Sequence, residues 1–259
     1  MRIALLQPDI AWLDVAQNLR HLEDMMRHSD PADLYVLPEM FATGFCIEPQ
    51  GIAESCRDSS VVHWMQLMAR RLDAAVAGTV AVYFGKPRVA PDGTAIPPSY
   101  RNRFYFVYPD GCYECYDKHH LFAYGGEDKH YTAGTERKVA DFRGVSFLLQ
   151  TCFDLRFPVW SRYKGDYDVI LYAANWPRKR SLAWQTLIRA RAIENQCYVV
   201  GVNRVGRDPN TLYAGQSALI HPYGHELVSC PEGKESVLVG TIDLQELRKY
   251  RKKFRIPIE

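Results

Sequence analysis

Residues 145–158 read VSFLLQTCFDLRFP and contain two structural signals. The apolar run at the start of this stretch is typical of a buried strand, and Pro158 suits the first turn of a helix. A strand followed by a helix is the repeating unit of α/β proteins. Cys152 lies where the strand stops, which leaves two interpretations. It is either a small core residue, as most unpaired cysteines are, or a nucleophile presented at a strand end.

Similar apolar runs recur along the chain, with turn residues between them. About nine of them predict strands: RIALLQPD, ADLYVLPE, AAVAGTVAVY, RFYFVYPDG, VSFLLQTC, YDVILYAAN, CYVVGVNRVG, QSALIHPYG and SVLVGTID. Helical patterns lie between these runs, which predicts an α/β fold. The sequence PDG at 109–111 separates two of the runs and predicts a hairpin, so we expect mixed rather than purely parallel sheets.

Helical periodicity is present at residues 12–28, 60–72 and 181–196. In the last of these segments we expect an apolar face made of Leu182, Leu187, Ala190 and Ile193. The polar, proline-rich stretch 86–103 is the best loop candidate, but strand patterns continue on both sides of it. We therefore expect a single domain over residues 1–259.

The composition excludes several classes of function. Of the 259 residues, 47% are hydrophobic and 24% are charged, and the net charge is +2, as in an ordinary globular protein. The densest basic stretch, RKYRKKFR at 248–255, is more typical of a solvated helix end or a subunit contact than of a nucleic-acid site. No secretory signal or membrane-spanning run is present, so we expect a cytoplasmic protein without a membrane or nucleic-acid partner.

The cysteines and histidines do not predict a metal site. Seven cysteines in a reducing compartment are most simply free thiols. Cys112 and Cys115 form a C-x-x-C, but in a strand the residues i and i+3 point to opposite faces. His221 and His225 are separated by Pro222 and Gly224, which indicates a turn. We therefore expect neither a metal ion nor another cofactor.

Three reactive side chains share one position, the end of an apolar strand: Glu39, Lys118 and Cys152. A thiol needs a neighbouring base to become a good nucleophile, and a poorly solvated carboxylate can take its proton. A lysine and the N–H of Phe153 can stabilise the oxyanion of a tetrahedral intermediate. The polar end of a second strand, Asn175, is expected beside Glu39. Together these residues predict a site that opens an amide or nitrile carbon through a thioester.

Three ordered motifs, LPEMFATGF, YDKHHLF and CFDLRFP, resemble the catalytic motifs of the nitrilase superfamily of carbon–nitrogen hydrolases. The resemblance extends from RIALLQPDI to GTIDL. It implies a four-layer αββα sandwich with two mixed β-sheets, assembled as a homodimer or higher homo-oligomer. It also implies a catalytic Glu39–Lys118–Cys152 triad. A second glutamate, Glu127, is expected to orient the lysine.

The segments YAANWP and AWQTLIRARAIENQCYVVGVNRVG look similar to the omega-amidase branch. That branch hydrolyses the side-chain amide of 2-oxoglutaramate and 2-oxosuccinamate, so the implied partner is a small-molecule amide that carries a carboxylate. Arg156 and the backbone groups near Asn175 and Trp176 are candidates to bind the carboxylate, although a structural salt bridge is an equal interpretation for Arg156. Gln216 departs from the branch, which often has an acid there.

Alternatives within the superfamily are hydrolysis of an N-carbamoyl amine or of an aliphatic nitrile. A non-enzymatic interaction protein with the same fold is a distant alternative, because it predicts the loss of a triad residue and none is lost. His119 and His120 follow the lysine, but adjacent residues of an extended segment point in opposite directions. A structural role is therefore the favoured interpretation for both histidines.

Overall fold

The computed structural model describes residues 1–85, 87–89, 95–96 and 98–256. The strands are β1 (Arg2–Gln7), β2 (Leu34–Val36), β3 (Glu54–Ser55), β4 (Ala75–Phe84), β5 (Arg88–Val89), β6 (Ala95–Ile96), β7 (Ser99–Val107), β8 (Tyr113–Asp117), β9 (Val139–Phe142), β10 (Val145–Thr151), β11 (Val169–Ala174), β12 (Tyr198–Asn203), β13 (Val205–Arg207), β14 (Leu212–Ala214), β15 (Ala218–Ile220), β16 (Glu226–Ser229) and β17 (Ser236–Thr241). The α-helices are α1 (Val15–Arg27), α2 (Ser60–Leu72), α3 (Pro158–Ser161), α4 (Ser181–Asn195) and α5 (Leu244–Lys253). Each of the nine apolar runs contains a strand.

The two main sheets are both mixed. The first has the order β17-β1-β2-β4-β7-β8, with β3 paired to β4, and the second has the order β16-β15-β12-β11-β10-β9. Their central strands run parallel, as in the pairs β1–β2, β2–β4, β10–β11 and β11–β12. The outer strands are antiparallel, including the predicted hairpin β7–β8. Gly111 forms its turn with a φ of +88°, which glycine adopts without steric cost.

Most of the buried apolar side chains lie in three layers of contact. One layer lies between the sheets and joins Phe104 and Phe106 of the first sheet to Phe147 and Leu171 of the second. A second layer packs α1 and α2 on the outer face of the first sheet, and a third packs α4 on the outer face of the second. The arrangement is a four-layer αββα sandwich with two mixed sheets, which confirms the expected fold class.

Helices α1 and α2 begin at side chains that satisfy free backbone N–H groups. The Asp14 carboxylate accepts the N–H of Gln17 at 2.9 Å, and the Ser59 hydroxyl accepts the N–H of Val62 at 3.1 Å. Such caps stabilise a helix by about 1 kcal/mol each. None of the helices within the described part of the chain is both long and apolar enough to cross a membrane.

The predicted apolar face of α4 was wrong for Leu182 and Ile193, whereas Leu187 is partly buried and packs against the core. Leu182 is 80% exposed and Ile193 is 49% exposed, whereas the buried apolar residues are Trp184, Ile188 and Ala192. Two polar residues, Arg191 and Asn195, are also buried on this helix. The guanidinium of Arg191 donates to the Leu155 carbonyl at 2.6 Å, and the Asn195 side chain accepts the Tyr163 N–H at 2.9 Å. Hydrogen bonding therefore brings polar residues into the core that simple periodicity assigns to the surface.

The loop expected at residues 86–103 is only partly a loop. Strand β7 begins at Ser99, because β4 is long enough to pair with it from Val76–Val107 to Phe84–Ser99. The short strands β5 and β6 also pair with each other. Lys86, residues 90–94 and Pro97 lie outside the described residues.

We predict that Phe147→Ala destabilises the protein by about 3–5 kcal/mol, because it removes a fully buried ring and leaves a cavity between the sheets. The Phe147 ring lies 5.4 Å from that of Phe106, measured between centroids. Urea unfolding followed by circular dichroism measures the change. Tyr124→Ala, at a side chain that is 90% exposed, is the control and is expected to change the free energy of unfolding by less than about 0.5 kcal/mol. Equal values for the two variants would contradict this packing.

Candidate active site

Four predicted site residues lie beyond the ends of strands from both sheets. Glu39 follows β2 and Lys118 follows β8 in the first sheet, while Cys152 follows β10 and Asn175 follows β11 in the second. All four line one cavity of about 850 Å³. The N–H of Asn175 donates to the Glu39 carboxylate at 3.0 Å, which confirms that these two strand ends meet. The cavity therefore opens at the junction of the two sheets.

Lys118 is a buried cation held between two carboxylates. Its Nζ lies 2.9 Å from Glu39 Oε1 and 2.8 Å from Glu127 Oε2, and all three side chains are inaccessible to solvent. The Asn102 amide donates to both carboxylates, at 2.7 Å to Glu39 and 3.1 Å to Glu127. The N–H of Phe122 adds a bond of 2.6 Å to Glu127. Removal of one member would leave a buried charge uncompensated, at a cost of about 3–5 kcal/mol.

Burial and charge act in opposite directions on this network. Burial alone lowers the pKa of Lys118, but Glu127 and Glu39 outweigh it, and the pKa is raised above its ordinary value. The ammonium therefore stays charged. The pKa of Glu127 is raised, mainly by burial and further by the negative charge of Glu39. The positive charge of Lys118 acts in the opposite direction but does not outweigh them. One lysine is thus shared by two carboxylates.

Cys152 occupies a sharp turn between β10 and a short 3-10 helix, Cys152–Arg156. Its φ is +43°, a left-handed conformation that residues with a side chain rarely adopt. In the first turn of such a helix the backbone N–H groups have no intrahelical partner, and Phe153 lies in that turn. The turn thus presents a thiol beside backbone donors, which is the arrangement that a developing oxyanion requires.

Asp154 holds the cysteine turn against the lysine segment. The carboxylate is buried and accepts the N–H of Thr151 at 3.0 Å and the hydroxyl of Tyr116 at 2.7 Å. It also accepts the N–H of His120 at 2.9 Å. Tyr116 and His120 lie on either side of Lys118 in the chain. One carboxylate therefore sets the position of the nucleophile relative to the cation.

The thiol of Cys152 is a weak acid in this environment. Burial raises its pKa well above the ordinary value, and the charge of Glu39 raises it further, whereas Lys118 acts in the opposite direction. The sulfur lies 3.9 Å from the carbonyl oxygen of Asn175. At neutral pH the thiol is protonated, so nucleophilic attack requires a base at the moment of reaction. The carboxylate of Glu39 is the group that borders both the thiol and the lysine.

Comparison with known proteins agrees with this geometry. The family model described as carbon-nitrogen hydrolase matches residues 2–252. This chain belongs to the carbon–nitrogen hydrolase family. The hydrolase is 43% identical to "Omega-amidase YafV" of Yersinia enterocolitica over 98% of this chain and 94% of that protein. It is 33% identical to "2-oxoglutaramate amidase" of Bacillus subtilis over 96% of this chain and 93% of that protein.

A solved structure shows the same fold. The protein XC1258 of Xanthomonas campestris, described as a CN-hydrolase superfamily protein with an arsenic adduct in its active site, has a TM-score of 0.89 and 38% identity to the hydrolase. The match covers 98% of this chain and 94% of that chain. Together with the named relatives, it confirms the resemblance to the nitrilase superfamily and its omega-amidase-like branch.

The other predicted residues of the hydrolase also line the cavity: Phe153, Arg156 and Trp176. The structural salt bridge that was one of two interpretations of Arg156 is not found among the described residues. Instead its guanidinium lies 5.2 Å from the centroid of a Trp176 ring. The backbone N–H groups predicted to bind a carboxylate are already occupied, because that of Asn175 donates to Glu39 and that of Trp176 donates to Asn203. These two backbone groups are therefore not free to bind a substrate carboxylate.

The histidines and Gln216 lie outside the lining of this cavity. His119 stacks on Trp160 at 3.7 Å between ring centroids, and His120 stacks on Phe157 at 3.6 Å, which agrees with the structural roles expected for both. The side chain of Gln216 donates to Glu232 at 3.4 Å. Its departure from the omega-amidase pattern therefore does not alter the cavity wall.

Sequence reasoning missed Asn102 and Asp154, and it did not single out Arg180, which also lines the cavity. Asn102 had a usable signal, because it shares one face of β7 with Phe104 and Phe106, and a polar residue on a core face needs a buried partner. Asp154 follows Thr151 at the spacing of a capping box, but its bonds to Tyr116 and His120 depend on the tertiary fold. Arg180 lies between Pro177 and the start of α4 and had no distinguishing pattern.

We predict that Glu39→Gln lowers the pKa of the Cys152 thiol, because it removes a negative charge that disfavours the thiolate. The rate of Cys152 alkylation by iodoacetamide, followed by peptide mass spectrometry between pH 6 and pH 11, measures the shift. The control is Glu48→Gln, at an exposed acid that lines the same cavity. It should leave the pH at which alkylation reaches half its maximum rate within about 0.3 of the wild-type value. A midpoint that rises in Glu39→Gln would contradict the assigned electrostatics.

Proposed function

We propose that this hydrolase is an omega-amidase that converts 2-oxoglutaramate and 2-oxosuccinamate to the 2-oxo dicarboxylates and ammonia. One observation carries the proposal: a buried Glu39–Lys118 pair and the Cys152 thiol line one cavity that is bordered by arginines. The printed names of two relatives, an omega-amidase and a 2-oxoglutaramate amidase, support the substrate class. The reaction consumes one water for each amide and needs no cofactor.

In the proposed mechanism the Sγ of Cys152 attacks the amide carbon as its proton passes to Glu39. The oxyanion that forms is stabilised by the Lys118 ammonium and by a hydrogen bond from the N–H of Phe153. The carbon–nitrogen bond then breaks, the nitrogen takes up the proton, and ammonia leaves a thioester on Cys152. Water, deprotonated by Glu39, attacks the thioester and regenerates the thiol.

Glu127 acts on Lys118 in this proposal. The lysine Nζ lies within 3.1 Å of both oxygens of Glu127, so the ammonium has little freedom to turn away from the reacting carbon. A fixed donor costs no reorganisation when charge develops on the substrate. Glu127 also shares the Asn102 amide with Glu39, and this contact holds the two carboxylates at a set separation.

We also propose that the chain works in the cytoplasm as a single domain. All seven cysteines are free thiols, including the exposed Cys112, and free thiols are the usual state in a reducing compartment. The family model spans residues 2–252 without interruption, which supports one hydrolase domain.

We predict that Cys152→Ala abolishes ammonia release from 2-oxoglutaramate while the far-ultraviolet circular dichroism spectrum is retained, because the variant removes only the sulfur. A coupled ammonia assay measures turnover, and Cys112→Ala, at an exposed cysteine, is the control with full activity. Turnover by Cys152→Ala would end the thioester mechanism.

The same assay separates the alternative functions. Wild-type protein is offered 2-oxoglutaramate, an N-carbamoyl amino acid and an aliphatic nitrile. We expect release from the first at least about 100-fold faster than from the others, since the natural substrate is the one whose transition state is bound. A preference for the carbamoyl compound or the nitrile would replace the omega-amidase assignment, and no reaction with any of them would favour a non-enzymatic role.

We propose a homodimer or higher homo-oligomer, the assembly that the family resemblance implies. Large apolar side chains on two helices, Val159 of α3 and Leu182 of α4, are 77% and 80% exposed and are suited to such a contact. Light scattering after gel filtration is expected to give at least about twice the chain mass of 29.7 kDa. Leu182→Asp should shift the mass toward the monomer. A wild-type mass of one chain would contradict this assembly.

A further inference from the structure

The cavity that contains Cys152 has a basic border. Arg156 and the consecutive residues Arg178, Lys179 and Arg180 all line it. The acids of the lining do not neutralise this border. Glu39 is paired with Lys118, Asp208 accepts the hydroxyl of Tyr213 at 2.6 Å and the N–H of Thr211 at 2.7 Å, and Glu48 is exposed. Within the described part of the chain, none of these three acids forms an ion pair with a basic residue of the border. The border therefore carries positive charge that is available to an anionic ligand.

The three arginines of this border differ in what they contact. The guanidinium of Arg178 pairs with Glu232 at 3.1 Å. Arg156 is exposed and lies over Trp176. Arg180 is only partly exposed, and its guanidinium lies 5.2 Å from the centroid of the Phe122 ring. Within the described part of the chain, Arg180 has no carboxylate partner.

A guanidinium that packs on an aromatic ring keeps the N–H groups at its edge free for a second ligand. Partial burial removes some of its water, so a carboxylate gains more from it than from a fully solvated arginine. Arg180 meets both conditions and Arg156 meets only the first. The observations therefore favour Arg180 as the anion-binding side chain of the cavity.

The ring beneath Arg180 is anchored to the reactive centre. The N–H of Phe122 donates to Glu127 at 2.6 Å, and the Phe122 ring contacts that of Phe153 at 5.2 Å between centroids. Phe153 directly follows Cys152. The backbone of Arg180 is held as well, because its carbonyl accepts the Trp176 indole N–H at 2.8 Å. The ring that the Arg180 guanidinium contacts is therefore attached to the part of the cavity wall that carries Cys152.

We propose that Arg180 determines specificity by binding the substrate carboxylate that lies at the opposite end from the amide. The inference rests on the proposed function and adds the residue that recognises the acid. Arg180 and Cys152 line the same cavity, so a carboxylate can pair with the guanidinium while the amide at the other end of the substrate lies at the thiol. A neutral amide of the same length can reach the thiol but gains nothing from Arg180.

The test compares wild type, Arg180→Gln and Arg180→Lys with 2-oxoglutaramate and with the neutral amide valeramide. In Arg180→Gln, kcat/KM for 2-oxoglutaramate is expected to fall about 10- to 100-fold, mainly through KM, as for the loss of a charged hydrogen bond. For valeramide it should change less than about twofold. Arg180→Lys should recover part of the loss, because lysine keeps the charge but not the paired N–H groups.

The matched control is Arg189→Gln, which removes the same charge from α4 at a residue that pairs with Glu226 and does not line the cavity. It should leave kcat/KM unchanged for both amides. Equal losses for both amides in Arg180→Gln would indicate a structural role and overturn the proposal. If Arg156→Gln lowers kcat/KM for 2-oxoglutaramate alone, and Arg180→Gln leaves it unchanged, the carboxylate site lies at Arg156 and the proposal is also overturned.

A second measurement is independent of the omega-amidase assignment. Cys152 is alkylated with anionic iodoacetate and with neutral iodoacetamide, and the ratio of the two rates is compared between wild type and Arg180→Gln. The rate with iodoacetate divided by the rate with iodoacetamide is expected to fall at least about threefold in Arg180→Gln, because the variant no longer attracts the anion. That fall, without turnover of 2-oxoglutaramate by wild type, would keep Arg180 as an anion site and discard the omega-amidase assignment. If wild type turns over 2-oxoglutaramate but Arg180→Gln changes neither the ratio of alkylation rates nor KM, the omega-amidase assignment is kept and Arg180 is discarded as the anion site.

Discussion

A single buried ammonium, that of Lys118, organises the reactive end of this protein. Two carboxylates that would repel each other in a dry environment, Glu39 and Glu127, are both held within hydrogen-bond distance of it. The ammonium offsets the charge of both carboxylates, and loss of one partner would leave a buried charge without full compensation. Asn102 completes the group by donating to both acids. The strand ends that carry these residues are therefore held together by charge as well as by apolar packing.

The nucleophile is attached to this charged group by a second polar cluster. The Asp154 carboxylate accepts hydrogen bonds from Thr151 before the cysteine and from Tyr116 and His120 on either side of Lys118. The segments that carry the thiol and the ammonium are therefore held together. This support allows Cys152 to keep an unfavourable left-handed backbone conformation. It also explains why the two histidines after the lysine lie against aromatic rings rather than in the cavity.

Much of the fold and site could be predicted from the sequence, because their signals are local. Apolar runs marked the strands of both sheets, and three motifs marked Glu39, Lys118 and Cys152. The buried face of α4 could not be predicted by periodicity, since Arg191 is buried there only because the Leu155 carbonyl accepts its hydrogen bond. Arg180 was missed for a similar reason. Its importance depends on the Phe122 ring, which lies far from it in the chain.

Glu39 and Lys118 follow strands of one sheet, and the thiol of Cys152 follows a strand of the other. The layer of side chains between the sheets, which includes Phe106 and Phe147, therefore acts as a spacer that sets how far the sulfur lies from the Glu39 carboxylate. Proteins pack their interiors at nearly crystalline density, so such a spacer has a well-defined thickness. In this architecture the hydrophobic core is part of the catalytic geometry, and substitutions that thin or thicken it can alter reactivity without touching a polar residue.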